Sequence, residues 1–128
     1  KRLLPNMRDG DVDSRWETRP QKGKEQVVFD LGSTQPIGGL VLYMGKFTTD
    51  APRDLLVEIS DDREHWITVS RGPGEIGVFR AVIRDPGRTP FTIDIGDRPA
   101  RFIRLSQLGV DPKWYWTIAE FAVLAPPR

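Results

Sequence analysis

At 128 residues, 38% of them hydrophobic, the chain is long enough for one hydrophobic core and too short for two. Its 19 basic and 18 acidic residues leave a net charge of +1, which argues against a general electrostatic footprint for nucleic acid or an anionic membrane. Disulfides and thiolate chemistry are excluded by the absence of cysteine, and no apolar run approaches the roughly 18 residues of a membrane span. With no initiator Met and no signal peptide, the sequence reads as an excised domain or a processed product.

The first segment with chemical character is Asp9-Gly10-Asp11-Val12-Asp13-Ser14-Arg15-Trp16. Carboxylates alternating along a short loop and followed by a hydroxyl are oxygen ligands of the kind a hard cation such as calcium takes. An EF-hand loop does not fit. Counted from Asp9, its required glycine is replaced by Ser14 and its closing glutamate by Pro20. The plainer alternative is a solvated turn, in which Asp accepts local backbone hydrogen bonds and Gly supplies positive φ.

The rest of the chain predicts strands. Gln26 to Leu31 is a β-rich run closed by Gly32, and Gly39 to Met44 is a nearly continuous apolar run suited to a strand buried on both faces. Leu55, Val57 and Ile59 share one face of the next run. The turn Asp61-Asp62-Arg63-Glu64 then leads into a hairpin partner, His65 to Val69. Alternating strands are predicted over Val78 to Ile83, Phe91 to Ile95 and Ala100 to Leu105, and a last strand over Ile118 to Leu124. Gly and Pro punctuate these runs, as at Gly72-Pro73-Gly74 and Asp85-Pro86-Gly87. No segment sustains a helical period, so the expected fold class is all-β, a sandwich or jelly roll in a single domain spanning 1–128.

An ordered series of motifs carries a resemblance. It consists of Asp9-Gly10-Asp11 with Ser14-Arg15-Trp16, then Asp30-Leu31-Gly32, then Pro52-Arg53 with Val57 to Asp62 and Trp66, then Arg101 to Leu105, and finally Trp116 to Glu120. In this order they resemble the discoidin, or coagulation factor V/VIII C-type, domain of the galactose-binding-like superfamily. That group includes bacterial carbohydrate-binding modules. The resemblance runs from Asn6 to Leu124 and implies a jelly-roll β-sandwich.

It also implies a structural calcium tying the N-terminal loop to the last strand. The ligand positions would be Asn6, Asp9, Asp11, Ser14, Ala119 and Glu120, with side chains from Asp9, Ser14 and Glu120 and carbonyls from the others. Asp13 is then a bystander. Lack of the disulfide that clasps vertebrate members points to the bacterial type. By the same resemblance the domain is covalently joined to others in an extracellular or periplasmic protein.

Of the aromatic residues, Trp16 and Trp66 fall at core positions of the family this chain resembles, and Trp116 is expected in the core or at its edge. Trp114-Tyr115, read as following a loop at Asp111-Pro112-Lys113, and Phe47, in the loop Gly45 to Asp50, are expected to be exposed. Rings flanked by hydrogen-bonding groups suit a glycan, whose apolar face stacks while polar groups read its hydroxyls. Arg15, Thr18, Arg19, Gln21, Arg53 and Gln107 are candidates for those groups. The lone histidine, His65, has no nucleophile motif to serve, so catalysis is not expected. The expected function is a non-catalytic carbohydrate-binding module. The alternative is a structural or protein-contacting accessory domain; a phospholipid binder is less favoured because the loops are short and mixed.

Overall fold

The computed structural model describes residues 2–3, 16–45, 47–118 and 120–126, and gives the backbone alone for 2–3, 16–20, 48, 75–76, 114 and 120. Its frame is an antiparallel ribbon of two long strands, β3 (Glu25–Tyr43) and β6 (Pro90–Gln107). The two runs expected on either side of Gly32 are thus one strand, as are Phe91 to Ile95 and Ala100 to Leu105. Gly32, at φ 86°, does not end its strand. It opens an irregularity, and the β3–β6 register shifts between Asp30 and Gln35 and again between Ile37 and Gly39. A positive φ inside a ladder bends a strand without terminating it.

The bend creates the core. Leu42 pairs with Phe121 of β8 (Glu120–Leu124), and Phe121 stacks on Phe29 with centroids 4.1 Å apart and an interplanar angle of 9°. A straight strand would separate Phe29 from Leu42 by roughly 40 Å. The two halves of β3 therefore face one another. On one flank, β1 (Arg2–Leu3) pairs with β8; on the other, β4 (Leu55–Ser60) pairs with the second half of β6 and with the edge strand β5 (Ile67–Gly72). The sheet order is β1-β8-β3-β6-β4-β5, and a separate ladder joins β2 (Trp16–Lys22) to β7 (Val110–Ile118). Trp116 and Ile118 of that ladder are fully buried with Phe29, Leu40, Ile103 and Phe121. The chain is an all-β antiparallel sandwich.

One expected strand is a helix. Residues 74–84 form α1 (Gly74–Arg84), preceded by Pro73. Over six residues an alternating pattern does not separate a period of 2 from one of 3.6. Val78, Ala81 and Val82 face inward, whereas Phe79 and Ile83 are 67% and 71% exposed. Gly77 permits the close approach, since a Cβ there would lie 2.4 Å from the Phe91 ring. Trp66 departs from its expected core position. It is half-buried beneath the Arg104 guanidinium, 4.0 Å from its ring centroid, while Arg104 Nε donates to Glu58 at 2.9 Å.

Two outcomes follow for stability. Phe29→Ala should cost about 3–5 kcal/mol in urea denaturation, because it deletes the stacked ring and leaves a cavity between the layers. Across the ribbon, Arg101 Nε donates to Asp30 Oδ1 at 2.9 Å. That bond, with a second from the Gly32 N–H, holds the Asp30 carboxyl at about 2 against an ordinary 3.8. Its contribution is present above the ordinary value and is lost as pH falls through about 2. Asp30→Asn should therefore flatten the decline in melting temperature between pH 4 and 2, read by circular dichroism. An unchanged slope would show that the pair contributes nothing.

Candidate functional site

The ladder β2–β7 and the loop from Met44 to Asp54 come together at one end of the sandwich, and buried amides join them. Gln21 on β2 is 1% exposed. Its Nε2 donates to the Ala51 carbonyl at 2.9 Å and the Tyr115 carbonyl at 3.2 Å, and its Oε1 accepts from the Arg53 N–H at 2.9 Å. Arg53 continues the network through Nε to Asp111 Oδ2 at 2.8 Å and through its terminal nitrogens to the Ala51 and Thr49 carbonyls. The short 3-10 turn Thr48–Asp50 is braced from beneath, where Thr117 Oγ1 donates to Asp50 Oδ2 at 2.6 Å. The Phe47 carbonyl accepts the Asp50 N–H, so the half-buried Phe47 opens this same braced turn.

Four expected ligand contacts, Gln21, Phe47, Arg53 and Tyr115, thus belong to one contiguous assembly drawn from three segments. Two corrections accompany this. Gln21 does not face solvent. Its amide and carbonyl are occupied by protein, and it acts by positioning Arg53 and the strand carrying Tyr115. Gln107, also fully buried, does the same on the neighbouring loop, where Oε1 accepts from Asp54 N and Gly109 N and Nε2 donates to Glu25 and the Gly109 carbonyl.

Trp114 and Tyr115 lie in a strand and not in a loop. The register runs from Pro20↔Tyr115 to Gln21↔Asp111, so residues 112–114 bulge from β7 with no partner on β2. Pro112 lacks a donor for the ladder, and the Lys113 N–H turns back to Asp111 Oδ1 at 2.9 Å. The turn signal in the sequence marks this bulge. Arg15 and the proposed calcium positions Asn6, Asp9, Asp11, Ser14 and Ala119 lie outside the described residues, as does the Glu120 side chain; Thr18 and Arg19 are described by backbone alone. Asp111 and Asp50, which organise the site, escaped sequence reasoning; the Asp-Pro pair at 111–112 was the available signal.

Among the described residues, one acidic cluster lies elsewhere, at the β4–β5 turn, and includes Asp62, Glu64 and His65. It is a self-contained turn. The His65 and Glu64 N–H groups donate to Asp62 Oδ1, and the His65 ring bonds Asp62 Oδ2 at 2.6 Å. These bonds, led by the His65 N–H, hold the Asp62 carboxyl well below the usual range. His65 is exposed, with Ile67 as the first strand residue after it.

Sequence comparison assigns the architecture. The model of the F5/8 type C domain matches residues 4–121. The chain belongs to the F5/8 type C domain family. Solved structures similar to this F5/8 type C domain share 17–21% identity with it. A pectin binding carbohydrate binding module is 21% identical, with a TM-score of 0.68 over 95% of this chain and 81% of that one. Chitosan-binding module 2 of a chitosanase/glucanase from Paenibacillus sp. IK-5, solved with chitotriose, is 20% identical, with a TM-score of 0.70 over 94% and 84%. A Clostridium perfringens module solved with GalNAc-beta-1,3-galactose is 17% identical, with a TM-score of 0.69 over 94% and 81%. No curated protein matches the sequence. Among the described residues no helix is long and apolar enough to cross a membrane.

Gln21→Ala should cost about 2 kcal/mol or more in denaturant unfolding, since it leaves the Arg53 N–H without its acceptor and takes a donor from the Ala51 and Tyr115 carbonyls. A loss under about 0.5 kcal/mol would show that the amide bridge is dispensable.

Proposed function

We propose that this F5/8 type C domain is a non-catalytic carbohydrate-binding module. Its glycan site would lie on the β7 bulge and the braced loop beside it, with Trp114 or Tyr115 as the stacking platform and Phe47, Arg53 and Arg15 at the margins. The observation carrying this reading is that the loop bearing Phe47 and Arg53 and the strand bearing Tyr115 are joined in one frame by the buried Gln21 amide. Sites of this kind need rigid support, because ordering loose loops subtracts from an already small interaction. Similar folds solved with bound sugars support the same reading. In them the module belongs to, or accompanies, carbohydrate-active proteins, so attachment to other domains outside the cell is part of the proposal.

A structural calcium would complete the frame. Leu3 is opposite Ala122 and Trp16 is opposite Ile118, so the described residues before and after the acidic segment lie beside the short stretch that contains Glu120. That arrangement supports Asp9, Ser14 and Glu120 as side-chain ligands, with carbonyls from Asn6, Asp11 and Ala119. A bound ion would offset the two carboxylates and cross-link the chain's two ends.

Titration of the isolated domain against a neutral glycan panel tests the site. Weak binding is expected, with Trp114→Ala reducing it about tenfold or more while leaving the melting temperature unchanged, as for loss of a stacking contact of 1–3 kcal/mol. Absence of heat and of chemical-shift change near Tyr115 across the panel would favour a structural accessory domain. Chelation tests the metal. At calcium 100-fold above its Kd, removal should cost about 2.7 kcal/mol and several degrees of melting temperature, and Asp9→Ala should abolish that sensitivity. A chelation-insensitive melt with no calcium in elemental analysis would exclude the ion.

A further inference from the structure

The first half of β6 leaves one edge open. Along Pro90 to Asp94 it pairs with β3, whereas β4 reaches only Phe102 to Gln107 on its other side. α1 lies along this open edge, and two depressions flank it. One, of about 200 Å³, is lined by Gly77, Arg80, Ala81, Arg84, Pro90, Phe91 and Thr92. The other, of about 240 Å³, shares Phe91 and Thr92 and extends past Ser70 and Arg71 toward Asp94. Phe91, half-buried against Gly77, forms the wall between them.

Apart from the exposed Arg98, the arginines elsewhere whose side chains are described are engaged. Arg53, Arg71, Arg101 and Arg104 are in ion pairs, and Arg63 and Arg88 lie over aromatic rings. Arg80 and Arg84 are exposed, and neither has an ion pair, hydrogen bond or ring contact among the described residues. One turn apart on the helix, they repel one another. Arg84 gains from its place in the last turn, where the helix dipole favours a cation, but Arg80 lies outside that range. Two unpartnered guanidiniums over an apolar floor of Ala81, Pro90 and Phe91, beside the Thr92 hydroxyl, form a receptor for a planar anion carried on a ring. Guanidinium forks match carboxylate and sulfate oxygens two at a time.

We infer that the α1–β6 groove binds an anionic oligosaccharide, its uronate carboxylate or sulfate ester held between Arg80 and Arg84 and its ring against Phe91. This rests on the reading of the chain as a glycan-binding module but concerns a second site, on a different part of the molecule from Trp114. A bilayer is a poorer occupant. The arginines line a groove that a flat surface does not enter, and the exposed apolar pair Phe79 and Ile83 lies outside its lining.

The test is titration calorimetry on the Trp114→Ala domain, in which the β7 site is weakened. The probes are a galacturonic acid tetramer, a sulfated galactose tetramer and a neutral galactose tetramer, each at low and physiological salt. One or both anionic probes should bind, weakening with salt, and the neutral one should not. Arg80→Gln with Arg84→Gln should lower affinity about tenfold or more, and Arg80→Lys with Arg84→Lys should restore only part of it, because the charge returns without the fork. Arg98→Gln, which alters another exposed arginine outside the groove, should change nothing. Unchanged melting temperatures confirm that the variants fold. The inference is overturned if neither anionic probe binds, if the neutral probe binds equally, if the lysine pair binds as well as arginine, or if the double glutamine variant instead loses binding to phosphatidylserine vesicles. Loss of anionic binding on Trp114→Ala alone would also overturn it, while leaving the β7 site intact.

Discussion

The stack of Phe29 on Phe121 imposes the geometry on which the rest of the molecule depends. Phe121 is anchored beside Leu42 by the β3–β8 ladder, so Phe29 reaches it only if β3 folds back across the core. The bend is made near Gly32 and the pair Gly38-Gly39. At Gly38 a Cβ would lie 2.6 Å from the Ala125 carbonyl oxygen, so the departing C-terminal chain passes over the bend at a distance no side chain permits. β8 is thereby held against β3, and β1 against β8. The described residues before and after the acidic N-terminal segment are set beside the stretch containing Glu120 as a consequence of core packing, before any ion is considered.

Buried glutamines perform a second task that the ladders cannot. The loops at 44–54 and 108–109 have backbone groups that no strand ladder pairs. Gln21 and Gln107, each presenting a carbonyl and an amide, act as short substitutes for a strand and satisfy those groups. A buried polar group without a partner is expensive, and a fully satisfied network is rigid. The surface formed by Phe47, Arg53 and Tyr115 is consequently mounted on a stiff base, although the segment carrying Phe47 and Arg53 is an irregular loop.

The charge distribution follows the same division between structure and surface. Acidic partners hold four arginines: Arg101 and Arg104 pair with Asp30 and Glu58 across the β3–β6 and β4–β6 ladders, Arg53 ties its loop to Asp111 on β7, and Arg71 pairs with Asp54 beside β4. A near-neutral chain can nevertheless present a local cationic groove, because pairing is unequal. The arginines on α1 line a depression along the first half of β6, on the side that β4 does not reach.

Local pattern in the sequence was sufficient for the all-β class and the β4–β5 hairpin. Alternation and turn chemistry act over a few residues, and those elements are decided at that range. The ordered motifs from Asp9 to Glu120 carried the family as well. Only tertiary structure decided the remainder. Val78 to Ile83 became helical because Gly77 lets that turn seat on Phe91, a contact supplied by a distant strand. Tyr115 joined a ladder because β2 was available to pair with it, and residues 112–114 were absorbed as a bulge. Gln21 and Gln107 read as surface polar residues until the fold withdrew them from water, and only the packing of three segments specified which backbone groups they had to satisfy. Strand pairing and burial are properties of chain crossings, and a linear pattern contains the residues at a crossing without stating which of them will meet.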